Sequence, residues 1–394
     1  MRATLSLRSA CAPAYIYRLR RLCHQLAWPL LWAATVFITP AWATSTITNT
    51  STSTSTINLD LSMGVATLTP AGAAGAAGPV TVFYPSSGTA QTVNRGPFTL
   101  QLAVNGPAVL GNRRLVVFSH GSGGAPWPMA DLARSFVNAG YTVALPEHAG
   151  DNYRDQHLVG PASWKLRPAE VSHAIDAVQQ DNRFAKQIDF EQVGVYGTSA
   201  GGLTALVLGG GTWSPANFKR YCLAHMKDDF AACVGLIVQL KGNWSDAIKL
   251  TVASWVHRLR FNDETKFSHH DGRIQAVLAS VPMGAPFDMA SFAQPRTAVG
   301  LVVAGQDQWL APAAHARAVQ AACPLCTVVL DMPQAGHGSL FSPWPVDLAQ
   351  SLSPLLVDPP GFARSELPAA YQKIVAFFNQ QLKPVPFEPA QSRP

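Results

Sequence analysis

The sequence predicts an α/β domain with a mostly parallel central sheet and helices on both faces. From Arg114 onward, short apolar runs alternate with stretches of helical periodicity. This alternation is typical of parallel strands that are covered on both sides. The 394 residues would allow about two domains, but the order of the segments favours one α/β domain, residues 57–394, that carries an insertion.

Each element follows from its own pattern: apolar runs of four to eight residues predict strands, and apolar positions three or four apart predict helices. The predicted strands cover residues 79–84, 115–119, 142–145, 193–196, 274–281, 298–304 and 327–330. The predicted helices cover residues 129–138, 169–179, 203–208, 313–321 and 369–380.

The alternation stops between about residues 211 and 271, where charged and aromatic residues cluster. We interpret this segment as an insertion that follows the helix after 193–196. An insertion at that place is well positioned to form a cap over a site, although packing as a purely structural excursion explains the aromatic residues equally well.

The first 43 residues have the pattern of a secretory signal peptide. Five arginines and no acidic residue accompany an apolar run, 26–37, which is followed by Ala41-Trp42-Ala43. The run is shorter than the ~20 residues of a bilayer span. We therefore expect cleavage near Ala43, export to the periplasm or medium, and no stable membrane anchor; an uncleaved anchor and twin-arginine export are the alternatives.

The formal charge of +6 belongs mainly to this leader. Without its five arginines, the 29 basic residues of the chain fall to 24, against 23 acidic ones. A nearly neutral chain without basic runs argues against nucleic acid as a partner. Residues 44–56, nearly all Ser and Thr, predict a flexible segment that carries no chemistry.

Four cysteines remain after the leader, and four allow three pairings. The simplest hypothesis for an oxidising compartment pairs Cys222 with Cys233 and Cys323 with Cys326. A redox-active Cys323-Pro324-Leu325-Cys326 is the alternative, but this motif precedes a late strand rather than opening a helix.

The segment Gly197-Thr198-Ser199-Ala200-Gly201 lies between a predicted strand and a predicted helix. A G-x-S-x-G motif in that context is a nucleophile elbow, in which small residues let strand and helix approach closely while the serine hydroxyl projects from the sheet. We predict Ser199 as a catalytic nucleophile.

A serine nucleophile needs a base and an acid, and both have candidates in the expected order. His337 follows the last predicted strand in the loop Ala335-Gly336-His337-Gly338, and Asp307 follows the preceding strand. Asp288, one strand earlier, is the alternative acid.

The oxyanion of the reaction needs backbone N–H donors. Ala200 supplies one, and the loop His120-Gly121-Ser122-Gly123-Gly124 supplies the second, with Ser122 favoured over Gly121. We expect His120 to brace this loop. Glu147, His148 and Asp151 either contact substrate, His148 being the candidate, or brace a second loop.

No cofactor is expected, since neither a phosphate-binding glycine loop nor a dinucleotide fingerprint is present. His269-His270-Asp271 lacks the spacing of a zinc motif, so we predict no metal site there.

The stretch 115–124, the segment 144–152 and the elbow together resemble the bacterial dienelactone-hydrolase-like group related to platelet-activating-factor acetylhydrolases, over roughly residues 79–394. This resemblance implies an α/β-hydrolase fold and esterase or lipase-like activity on compact acyl groups. Dienelactone hydrolases have cysteine where this chain has Ser199, and the insertion is long, so their substrate is not carried over.

The prediction for function is hydrolysis of a carboxylic ester, small or polymeric, through an acyl-enzyme on Ser199. The alternatives are an amidase or polyester hydrolase with the same triad, and a binding protein without catalysis on a hydrolase scaffold.

Overall fold

A computed structural model describes residues 61–70, 78–235 and 238–383. The predicted leader (1–43) and the Ser/Thr-rich segment (44–56) lie outside the described residues. Within the described ranges, no helix is both long and apolar enough to cross a membrane.

The helices and strands agree closely with the predicted alternation. The strands are β1 (Ser62–Leu68), β2 (Val80–Ser86), β3 (Gln91–Arg95), β4 (Phe98–Val104), β5 (Leu115–Ser119), β6 (Thr142–Pro146), β7 (Val193–Thr198), β8 (Thr212–Trp213), β9 (Ile274–Ser280), β10 (Phe287–Asp288), β11 (Ala298–Ala304) and β12 (Thr327–Met332). The α-helices are α1 (Ala130–Asn138), α2 (Pro161–Gln180), α3 (Ala200–Leu208), α4 (Pro215–His225), α5 (Phe230–Val234), α6 (Ser245–Arg260), α7 (Ala316–Ala322), α8 (Val346–Leu352) and α9 (Leu367–Gln381).

Ten of the strands form one sheet in the order β12-β11-β9-β7-β5-β6-β2-β1-β4-β3. The six strands from β12 to β6 are parallel to their neighbours, whereas β2 is antiparallel to β6 and to β1. Parallel strands present their carboxyl ends at one edge of a sheet, and ligand sites of α/β folds lie at that edge. The loops after β5, β7, β11 and β12 therefore meet there.

The central strands β5, β6 and β7 are buried on both faces, as their uninterrupted apolar runs require. Along β5, Leu115 and Val117 pack into a core shared with α2 and α3. The alternate residues Val116 and Phe118 pack into a second core that is shared with α1 and α9. The predicted fold class is thus confirmed.

The segment between α3 and β9 folds as β8, α4, α5 and α6, where the sequence predicted an insertion without defined elements. The Cys222–Cys233 disulfide joins α4 to α5, and Cys323–Cys326 closes the turn before β12. Both predicted local pairings are therefore present.

A buried histidine connects this segment to the loops of the main domain. Asp229 lies 2.8 Å from Nε2 of His315 and also accepts a hydrogen bond from the hydroxyl of Tyr221. The backbone N–H of Gly284 donates to Nδ1 of His315 at 3.0 Å. Because Met283 in turn donates to the carbonyl oxygen of Ser199, the inserted segment is fastened to a loop that touches the elbow.

Candidate active site

Ser199 lies at the sharp turn between β7 and α3. Its φ and ψ of 58° and −118° fall in a region that residues with a side chain rarely adopt. A Cβ atom at Gly197 would lie 1.9 Å from the carbonyl oxygen of Gly201, so glycine is required where strand and helix meet. The turn has the geometry of a nucleophile elbow.

Backbone hydrogen bonds hold this strained turn against the loop after β9. The N–H of Ser199 donates to the carbonyl oxygen of Ser280 at 3.0 Å, and the N–H of Met283 donates to that of Ser199 at 3.2 Å. The Ser199 hydroxyl forms no hydrogen bond with a described residue, and 5% of the residue is exposed. The backbone of Ser199 is therefore fixed, while its hydroxyl has no hydrogen-bond partner among the described residues.

The loops after β11 and β12 bring Asp307 and His337 together. Oδ2 of Asp307 lies 2.7 Å from Nδ1 of His337, and the backbone N–H groups of Trp309 and Leu310 each donate to Oδ1 at 2.9 Å. Both residues are buried. An acceptor at Nδ1 favours the tautomer with its proton there, which leaves Nε2 as an acceptor.

Nε2 of His337 is buried and makes no hydrogen bond to any residue that the structure describes. Unpaired buried polar atoms are uncommon in folded proteins and often mark a functional site. His337 follows β12 and Ser199 follows β7, so both lie at the same edge of the sheet.

Asp288, the alternative acid, has a different partner. Its carboxylate lies 2.8 Å from Nζ of Lys266 and accepts a hydrogen bond from the N–H of Ala290 at the start of a short 3-10 turn. The hydrogen bond from Lys266 keeps the pKa of Asp288 below its ordinary value. The contacts of the two aspartates favour Asp307 as the partner of His337.

The loop after β5 lies against the elbow. A Cβ atom at Gly121 would lie 3.3 Å from Cβ of Ser199 and 3.8 Å from its Oγ. Within the described part of the chain, the backbone N–H groups of Gly121, Ser122 and Ala200 donate to no protein acceptor. All three predicted oxyanion donors are therefore free, and Gly121 is the one shown next to the serine side chain.

A fully buried ion pair holds the loop after β5 in place. Asp151 and Arg167 lie 2.8 Å apart, and both side chains are fully buried. Asp151 accepts hydrogen bonds from the N–H of Gly123 at 2.8 Å and from the hydroxyls of Ser122 and Ser163. Burial alone would raise the pKa of Asp151, but Arg167 and these donors hold it below its ordinary value.

Arg167 also reaches the other side of the same loop. Its guanidinium donates to the carbonyl oxygen of His120 and, at 3.4 Å, to that of Gly121. Carbonyl groups that point toward the arginine leave the opposite side of the loop backbone free to present N–H groups. Arg167 and Asp151 are therefore positioned to set the orientation of the predicted oxyanion donors.

We expect Asp151→Asn to lower the free energy of unfolding by about 3 kcal/mol, because it leaves Arg167 buried without a counter-charge. We expect kcat on an ester to fall on the order of tenfold or more, since a displaced loop weakens one oxyanion donor. Urea denaturation and steady-state kinetics measure the two effects.

The matched control is Asp331→Asn, which removes a surface carboxylate that pairs with Arg317 at about 40% exposure of both side chains. Exposed pairs contribute about 0–1 kcal/mol, so this variant should resemble wild type. Equal behaviour of the two variants would contradict a bracing role for Asp151.

A second buried chain of polar groups lies beneath the loop. Ser119 Oγ lies 2.8 Å from Nε2 of His148, whose Nδ1 lies 2.6 Å from Oε2 of Glu170. The N–H of Ala149 donates to Oε1 of Glu170 at 3.0 Å. Burial raises the pKa of Glu170 to about 7, and burial together with Arg167 holds the pKa of His148 well below its ordinary value. Burial thus favours the neutral form of both side chains.

Glu170 should make stability depend on pH. Folded Glu170 keeps a proton that the unfolded chain loses above pH 4.5, so its contribution to the free energy of unfolding falls as pH rises from about 4.5 to about 7. Glu170→Gln removes the titration. The stability of wild type relative to this variant should therefore decrease with pH, by on the order of 3 kcal/mol over the window, and then level off.

Urea denaturation of both proteins at several pH values between 4 and 8.5 measures this difference. A relative stability that increases with pH would instead show that an ionised Glu170 stabilises a protonated His148, and would contradict our assignment.

His148 was predicted as a substrate contact or a brace, and its contacts favour the brace. The residue is fully buried, and both ring nitrogens already lie within hydrogen-bond distance of protein groups. His120 braces its loop as expected, with Nδ1 lying 2.7 Å from the carbonyl oxygen of Gly121 and Nε2 accepting the N–H of His148. Glu147 pairs with Arg154 instead of joining the site.

The sequence reasoning missed Arg167, Glu170, Ser163 and Ser119. The first three lie on α2, where charged residues look like an ordinary solvated helix face until their burial is known. One signal was present: Arg167 and Glu170 occur three residues apart, at spacing that puts both on the same face of a helix.

The predicted absence of a metal site at 269–271 remains a prediction. Nε2 of His269 lies 3.1 Å from the hydroxyl of Ser172, and Asp271 pairs with Arg273. Across the described ranges, no group of three or more His, Cys, Asp or Glu side chains is arranged to hold a metal ion.

Comparisons with known proteins identify the fold of the chain. No protein-family model matches the chain, and no curated protein sequence matches it. Among solved structures, it is similar to the ferulic acid esterase from Streptomyces cinnamoneus determined at 2.4 Å resolution, with a TM-score of 0.51 and 16% sequence identity. The similarity covers 86% of this chain and 94% of the esterase. The chain has an α/β-hydrolase fold. At this low sequence identity, a shared fold does not identify the substrate of this chain.

Proposed function

We propose that this α/β-hydrolase is an exported serine esterase, in which Ser199 is the nucleophile, His337 the general base and Asp307 the acid that orients it. The observation that carries the proposal is the buried Asp307–His337 pair at 2.7 Å, whose Nε2 is unpaired, at the same sheet edge as the strained Ser199 turn. Buried nitrogens without a partner are uncommon in folded proteins, and this one lies in the loop where the base of a serine nucleophile is expected.

The proposed reaction begins when Ser199 Oγ attacks the ester carbonyl carbon while Nε2 of His337 takes the hydroxyl proton. Asp307 stabilises the imidazolium and stays ionised. The N–H of Ala200 and that of Gly121 or Ser122 stabilise the negative oxygen of the tetrahedral intermediate.

His337 then returns the proton to the alkoxide as the carbon–oxygen bond breaks, which releases the alcohol and leaves an acyl group on Ser199. Water, deprotonated by the same nitrogen, attacks the acyl group and releases the carboxylic acid. The site needs no cofactor for these steps, and each proton passes through His337.

Two observations support the proposed export. The leader pattern predicts export, and the two disulfides are typical of oxidising compartments.

The inserted segment is joined through Asp229, His315 and Met283 to the loop behind Ser199, which supports a cap-like role for this segment.

Matched substrates test the proposed substrate class. We expect the purified protein to hydrolyse p-nitrophenyl acetate with a burst of one nitrophenolate per site before steady turnover, and to leave p-nitroacetanilide essentially intact. The ferulic acid esterase of similar fold supports esters as the first class to test. Faster cleavage of the anilide would favour the amidase alternative; binding without turnover of either would favour a binding protein.

A further inference from the structure

Helix α6 of the inserted segment presents an apolar stripe to solvent. Five of its large hydrophobic side chains, and that of Trp244 just before it, are between 36% and 82% exposed; the five are Ile248, Val252, Trp255, Val256 and Leu259. Steps of three or four residues place them along one side of the helix. Few folded chains leave such a continuous stripe uncovered without using it.

The opposite side of α6 packs against the rest of the inserted segment. Ala253 and His257 are buried there, and His257 packs against Phe218 and lies 3.0 Å from the carbonyl oxygen of Cys233. The helix is thus fastened through the disulfide-linked segment. The stripe packs into no hydrophobic core of the described residues, so its surface can bind a partner.

Basic residues border the stripe on both sides. At 3.6 residues per turn, Arg258 falls beside one edge, and Lys249 and Arg260 fall beside the other. Arg258 and Arg260 are exposed and form no salt bridge with residues in the described ranges. The helix contains one acidic residue, Asp246, whose carboxylate accepts hydrogen bonds from Lys249 and from the backbone N–H groups of Lys241 and Gly242 in the preceding loop.

The apolar stripe and its basic borders together indicate what kind of partner binds α6. A stable contact with a second copy buries ~800 Å² per partner, more than one four-turn stripe offers. A second α6 would also offer Arg258 and Arg260 only the carboxylate of Asp246, which already pairs with Lys249. An anionic bilayer surface matches both features, since tryptophan favours the headgroup level and Arg and Lys attract anionic lipid.

We propose that α6 is an interfacial helix that binds the protein reversibly to bilayers carrying anionic phospholipids. Its apolar stripe enters the boundary between headgroups and acyl chains, while Arg258 and Arg260 contact the headgroups. This peripheral binding differs from a spanning anchor and does not depend on the chemistry at Ser199.

Flotation with phosphatidylglycerol and phosphatidylcholine vesicles tests the proposal on the protein as purified after export. We expect wild type to float with phosphatidylglycerol vesicles and its tryptophan emission to shift to the blue. The triple variant Trp244→Ser/Trp255→Gln/Leu259→Gln should bind more weakly by on the order of tenfold or more. Arg258→Glu/Arg260→Glu should remove the preference for the anionic lipid.

The control is Leu325→Gln, which removes a leucine that is 68% exposed and lies in the turn between α7 and β12. Every variant keeps the same N-terminal residues, so binding through them would survive in the triple variant. Circular dichroism and the thermal midpoint report whether each variant is folded.

Three results would overturn the proposal: no binding by wild type, equal binding by the folded triple variant, or a wild-type dimer that the triple variant dissociates. The last would show that the stripe joins two copies. Loss of esterase turnover in any variant would bear on the proposed function and leave the flotation result unaffected.

Discussion

Ser199→Ala is expected to lower kcat on p-nitrophenyl acetate by roughly a million-fold, the scale of loss when a serine hydrolase loses its nucleophile. Without the hydroxyl no acyl-enzyme forms, and only binding and the oxyanion donors remain. Because Ser199 Oγ makes no hydrogen bond to a described residue, the free energy of unfolding should change by less than about 0.5 kcal/mol. Steady-state kinetics and urea denaturation measure both quantities.

Ser122→Ala is the matched control for this substitution. It removes a neighbouring hydroxyl that donates to Asp151 at 3.2 Å but leaves the backbone N–H of the loop in place. We expect a loss of stability on the order of 1 kcal/mol and retention of most turnover. Wild-type turnover in folded Ser199→Ala would mean that another group performs the attack.

Asp307→Asn is expected to lower kcat by about 10⁴-fold, because an amide neither fixes the histidine tautomer nor stabilises the imidazolium. The isosteric side chain can still accept the N–H groups of Trp309 and Leu310, so the loop should keep its shape. Steady-state kinetics at several pH values measure the loss.

Asp288→Asn distinguishes the two candidate acids. Its carboxylate pairs with Lys266 on an exposed part of the inserted segment, so this variant should keep kcat within about twofold of wild type. The reverse pattern, with activity lost in Asp288→Asn and kept in Asp307→Asn, would assign the acid to the loop one strand earlier.

The parallel strands were predictable because burial on both faces produces a strong local signal. β5 and β11 begin and end at the predicted residues, and β7 differs by two residues at its end. Strands β1, β3 and β4 were not predicted, since polar residues or glycine interrupt their apolar residues and the strands gain stability from pairing with their neighbours. Helix α2 begins eight residues before the predicted start and continues through Pro168, a residue that usually interrupts a helix.

The candidate site could be predicted where the order of the strands along the chain determines which loops lie close together. In a parallel sheet, residues that follow β7, β11 and β12 reach the same edge, so Ser199, Asp307 and His337 could be proposed without coordinates. The bracing groups could not, because Arg167 and Glu170 act through burial and through partners far along the chain. No periodicity in α2 distinguishes a buried ion pair from a solvated helix face.

Labelling with a fluorophosphonate probe tests the central claim most directly, since the probe modifies only a serine that a neighbouring base has activated. Wild type, Ser199→Ala and Ser122→Ala would be labelled in parallel, with the adduct mapped by mass spectrometry. We predict one adduct on Ser199 in wild type and in Ser122→Ala, and none in Ser199→Ala. An adduct on another serine, or none on folded wild type, would contradict the assignment of Ser199 as an activated nucleophile.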